Sequence, residues 1–179
     1  PSTIALGGDF ASPGAKFATP GPNGGARSFG ALAGAFDLTV DAISQDAEIR
    51  RFTFDLSDLL LTSADGSPPA RLKSVVVEAV GSKRGADAEL KSFRLTSDLA
   101  TAEGAATIKG AGQAGMVVDG RVAARGDVGP LVAWLKPFAP NLATAKGSGT
   151  WNIEATASTR GDAVSARSTF ETKGLAVDG

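Results

Sequence analysis

From Lys91 to Gly179 the chain is a succession of short stretches in which apolar and polar residues alternate one for one, punctuated by glycine. In extended backbone, successive side chains point to opposite sides, so this alternation describes strands with one apolar face and one polar face. Trp151, Ile153, Ala155 and Ala157 alternate with Asn152, Glu154 and Thr156, and Phe93 and Leu95 flank Arg94. Between these strands lies almost no reactive chemistry. Such a chain supplies a surface that holds or carries something better than it supplies an active site.

The same period continues upstream. Phe36, Leu38 and Val40 share a face, as do Phe52, Phe54 and Leu56. Leu72 to Val80 reads as a strand covered on both sides, because Val75, Val76 and Val77 are consecutive. Ala105 to Lys109 is a short, weak strand, and Met116 to Ala124 a longer one whose Gly120 suggests a bulge or bend. Ala163 to Thr172 is a long strand, and Leu175 and Val177 open a further one. Residues 64–69 and 82–87 have turn chemistry. One helix interrupts the strands at about 128–138. Asp127 suits its N-cap, Pro130 its first turn, and Leu131, Trp134, Leu135 and Phe138 form a single apolar stripe. Too short to stand alone, it must dock on the sheet. The expected fold is mainly β: an antiparallel meander curled into a taco-like groove or open sandwich, with one short amphipathic helix. Thr3 to Leu6 reads as a brief strand. The rest of residues 1–30, broken by Pro13, Pro20 and Pro22, reads as a Gly/Pro-rich linker or loop before a β-rich domain at 31–179.

Composition removes several function classes. The chain has no Cys and no His. Thiolate metal sites, cysteine nucleophiles and Ser-His-Asp triads are therefore excluded. With 18 basic and 19 acidic residues the formal net charge is −1, which provides no long-range attraction to nucleic acid or anionic lipid. Apolar content is largely alanine, with nine Phe, two Trp and one Met, so the core is thin or the apolar surface lines a groove. No run approaches the ~18 apolar residues of a membrane helix. Because the chain starts at Pro1 and shows no signal-peptide pattern, it reads as an internal or processed fragment whose anchor or signal would lie upstream.

Three motifs have a bland and a functional reading. Gly110-x-Gly112-x-x-Gly115 matches a dinucleotide-binding pattern, but a strand follows it where phosphate binding requires a helix, so a hairpin turn fits better. Arg-Gly-Asp occurs at 125–127 and 160–162; adhesion would use it on an exposed loop, whereas Gly-Asp is ordinary turn and cap chemistry. Asp55 with Asp58, or Asp87 with Glu89, could act as acid and base. Exposed strand-face charges explain them more simply.

The second half resembles the AsmA-like superfamily, which includes AsmA, TamB and YhdP. The resemblance rests on Arg121 to Asp127, the helix from Leu131 to Pro140, the strand from Gly147 to Ala157 and the closing phrase Gly174 to Gly179. It covers about Lys91 to Gly179, through loose motifs built of common residues. It implies a non-catalytic domain without cofactor or metal, in a periplasmic protein anchored in the inner membrane of a diderm bacterium. Membrane contact would come through parts outside this fragment. An apolar β-groove would hold or conduct phospholipid acyl chains toward the outer membrane, with outer-membrane assembly proteins as partners and no role for nucleic acid. The implied groove lining is Phe93, Leu95, Met116, Val118, Val122, Trp151, Ile153, Ala155 and Phe170. Leu131, Trp134, Leu135 and Phe138 would close a groove end. The competing expectation is a structural or adhesive β-domain of a bacterial surface or envelope protein, with a closed, dry core.

Overall fold

A computed structural model of the chain describes residues 2–18, 26–62, 69–160 and 163–178. Its nine strands are β1 (Thr3–Ala18), β2 (Ala26–Asp41), β3 (Ala47–Thr62), β4 (Ala70–Arg84), β5 (Asp87–Ser97), β6 (Ala100–Lys109), β7 (Val117–Asp127), β8 (Lys146–Arg160) and β9 (Ala163–Asp178). They form a single sheet in which spatial order equals chain order. Each pairs antiparallel with the next. The sheet is an open meander with β1 and β9 as its edges.

Register carries the alternation from strand to strand. One row reads Phe10, Gly34, Phe54, Val77, Leu95, Ala102, Ala124, Ile153 and Phe170, each residue paired with the next. The neighbouring row, offset by one residue, runs through Asp9, Thr53, Glu78, Arg94, Glu103 and Glu154. Paired residues share a face, so the sheet has one apolar and one charged side.

Residues 3–18 correct the expectation of a linker, since they form a strand as long as β2. Pro13 fits because β1 is an edge, where a missing N–H breaks no ladder on the open side. The turn expected at 64–69 and the second Arg-Gly-Asp lie mostly outside the described residues. Gly120 forms no bulge: it pairs in regular register with Ala106 and Ala157. Leu175 and Val177 continue β9 and do not open a new strand.

The irregularities sit elsewhere. Register shifts between Ile49 and Phe52 on β3, where Arg50 and Arg51 face the single Val80. It shifts again between Leu90 and Phe93 on β5, where Lys91 and Ser92 face Ala105. Each extra residue bends its strand and increases local twist. Each also re-phases the side chains, so Ile49 joins the face of Phe52 although the two are an odd number of positions apart.

The helix α1 (Val128–Leu135) continues into a 3-10 turn at Lys136–Phe138. Asp127 holds the N-cap position, but its side chain makes no capping hydrogen bond. The helix packs at one end of the sheet, chiefly on β8, and reaches β7 and β4. Its buried residues are Val128 and Val132, which meet Ala145, Leu142 and Trp151. These positions correct the expected docking stripe: Leu131, Trp134 and Leu135 are half-buried and Phe138 is exposed. The rings of Trp134 and Phe138 meet at a tilt of 54°, 5.4 Å between centres.

Phe10 lies across Gly34. A Cβ added at Gly34 would fall 2.2 Å from the ring and 2.6 Å from the Thr53 carbonyl oxygen. Gly34→Val should therefore destabilise the fold by about 1–3 kcal/mol, as overpacking does, measured by urea unfolding.

Asp41 ties the β2–β3 turn. Its Oδ1 accepts the N–H groups of Ile43 and Ser44 at 2.9 Å each, and its Oδ2 accepts the Ser2 hydroxyl at 2.8 Å. These bonds, led by the backbone N–H of Ser44, hold its carboxyl below the usual carboxylate range. The contribution is present above the unfolded-state pKa of about 3.9 and is lost as pH falls through the lower folded value. Acid titration should show Asp41→Asn less stable than the parent at neutral pH, with the gap closing below about pH 4.

Candidate functional site: an uncovered apolar face

The chain buries unusually little. Its accessible surface is 11553 Å². A closed monomer of 17.9 kDa would expose about 8,000 Å². Among the described residues the buried apolar ones are Ala70, Val128, Val132 and Ala145, of which the last three cluster under the helix. Across the remainder of the sheet the apolar face has no second layer among the described residues. Ile4, Leu6, Phe10, Phe36, Ile49, Phe52, Leu90, Val122, Ile153, Val164 and Phe170 all lie on it and all remain exposed.

The helix covers one end of this face, and a shallow hollow beyond it makes the face a trough. From Trp151 beside the helix to Thr159 at the far end, β8 runs about 27 Å at ~3.3 Å per residue. Between those ends a hollow of about 470 Å³ is lined by Leu90, Phe93, Val122, Ala155, Ala157 and Ala166, among others. Its size is that of a small-ligand site. Alanine and glycine dominate its floor, as at Gly104, Ala106 and Gly120, so bulky neighbours rise around a shallow bed. Lys83 belongs to the outermost row, with Ala47 and Ala88, and donates from Nζ to the Gln45 carbonyl oxygen at 3.2 Å.

Of the lining residues expected from sequence, Phe93, Leu95, Val118, Val122, Trp151, Ile153, Ala155 and Phe170 share this face. Met116 precedes β7 in the connecting turn, exposed at the open end. The expected set omits the half of the face supplied by β1–β4. For β2 and β3 the alternation at Phe36–Val40 and Phe52–Leu56 was the available signal. For β1 that signal is present in Ile4, Leu6 and Phe10 but thinned by Gly7, Gly8 and Pro13.

The larger hollow, about 820 Å³, is on the opposite, charged side. There Arg51, Arg94 and Arg121 alternate with Glu78, Glu103 and Glu154, so no single sign of charge dominates. The ion pairs on this side, such as Arg51–Asp9 at 3.5 Å and Lys91–Glu48 at 3.8 Å, are exposed and contribute little individually. Among the described residues no group of three acidic side chains could hold a metal ion, and no helix is long and apolar enough to cross a membrane.

The remaining motifs have structural roles. Gly110, Gly112 and Gly115 all have positive φ, at 66°, 77° and 84°, in the turn joining β6 to β7. The first Arg-Gly-Asp ends β7, with Arg125 Nε donating to Thr101 Oγ1 at 3.4 Å. Asp58 pairs with Arg71, and Asp87 accepts the Gly110 N–H at 2.9 Å, so each binds a structural neighbour.

Comparisons with protein-family models, with curated proteins and with solved structures find no match. Function therefore rests on the chemistry of the trough. An environment-sensitive apolar dye should bind the folded chain and brighten, and Leu95→Glu should reduce that signal severalfold, read by fluorescence titration.

Proposed function

We propose that this chain is a non-catalytic envelope domain whose apolar trough holds or conducts phospholipid between inner and outer membranes, contributing to outer-membrane biogenesis. The observation that carries the reading is the uncovered apolar face of an open sheet. A closed structural β-domain would bury that face against a second layer. The resemblance to the AsmA-like superfamily supplies the setting: the periplasm, an inner-membrane anchor elsewhere in the full-length protein, and outer-membrane assembly proteins as partners.

The magnitudes fit an acyl chain. Burying a methylene group is worth about 0.8 kcal/mol, so a chain of a dozen or more needs no directional contact to stay bound. One leaflet's hydrocarbon is about 15 Å deep, half the ~30 Å core, and the apolar face along β8 is longer than that. A flat alanine and glycine floor lets a chain slide, because few side chains must change rotamer as it passes.

Native mass spectrometry of the purified chain, with lipid extraction of the same sample, tests the reading. Near-stoichiometric phospholipid is expected, and a clean apo mass would overturn it. Ile153→Asp and Val118→Asp should abolish lipid binding and leave the unfolding midpoint nearly unchanged, because this face can hydrate the carboxylate. In a closed core the same unpaired charge would cost several kcal/mol and unfold the domain.

A further inference from the structure

The two edges of the sheet differ. In β1 the run of N–H donors is interrupted at Pro13, which discourages strand addition. β9 carries no proline over Ala163–Asp178, and its residues 163–176 are all exposed. On the apolar side Val164 is 76% exposed and Phe170 66%. Arg167 and Glu171 alternate with them on the charged side, and neither makes an ion pair among the described residues.

We infer that β9 is an interaction edge for a second copy of this chain, paired antiparallel to its own β9 about a two-fold axis at Thr169. Such a contact is self-complementary, as a two-fold interface requires. Keeping both apolar faces on one side restricts the register to shifts of two residues. Centred on Thr169, Arg167 lies opposite Glu171 of the second copy, and this happens twice. Phe170 faces Ser168 and reaches diagonally to the other Phe170. Opposite charges, paired threonines and diagonal aromatics each favour a cross-strand contact. Centring on Phe170 would set Arg167 against Lys173, and centring on Arg167 or Glu171 would oppose like charges. Centring on Ser168 leaves both charges without a partner. Gly174, at φ 62°, ends the regular ladder. The product is a continuous sheet with a doubled apolar face, whether or not that face takes up lipid.

Sedimentation equilibrium of the full chain tests the pairing. The parent should be dimeric. Arg167→Glu and Glu171→Arg should each be monomeric, and the chain carrying both should dimerise again. With no native cysteine, Thr169→Cys should cross-link to itself on mild oxidation, because directly opposed strand residues lie within disulfide range. Ser165→Cys, which would face Lys173, should not. A monomeric parent, single reversals that leave the dimer intact, or cross-linking at 165 and not at 169 would overturn the proposal.

Discussion

The antiparallel ladder is what holds this molecule together, because the described residues form no large core. Strand after strand is secured by backbone hydrogen bonds on both sides and by the side chains it meets across the register. At the helix end Val128, Val132 and Ala145 make a small buried cluster. Stability is thus spread along the sheet, and each hairpin leans on its neighbours. The apolar face is available because no second layer covers it among the described residues, so the same arrangement that limits the core creates the candidate site.

Keeping that face continuous demands local departures from regular geometry. The bulges at Arg50–Arg51 and Lys91–Ser92 sit at the same height of the sheet, on either side of Val80. They place long basic side chains on the charged side while returning Ile49 and Leu90 to the apolar side. Glycine serves the opposite need. At Gly34 it makes room for the ring of Phe10, and at Gly126 for that of Trp151, where an added Cβ would lie 2.9 Å from the indole. Aromatic rings resting on glycine keep the face apolar without raising its floor.

The charged face is mixed by design of its register: Glu78, Arg94 and Glu103 are cross-strand neighbours. Their attraction supports pairing and presents no field of one sign. That side therefore hydrates the sheet, and the asymmetry between faces directs any apolar ligand to the trough.

Much of the architecture was legible in the order of residues. Period-two alternation gave β2, β3, β5, β7, β8 and β9, glycine-rich segments gave turns, and the absence of His and Cys removed whole classes of chemistry. These are local properties, fixed by which way successive side chains point. Other features were hidden because they arise between strands. Pro13 reads as a breaker until β1 is known to be an edge. Ile49 and Leu90 appear out of phase until a partner strand shows two residues facing one. In sequence the helix's apolar stripe is Leu131, Trp134, Leu135 and Phe138, yet the surface it meets, set by Trp151 and Ala145, selects Val128 and Val132. Alternation can say that each strand has an apolar side. Whether those sides meet a second layer or stay open is a matter of how strands far apart in the chain are arranged, and here successive hairpins laid side by side leave them open.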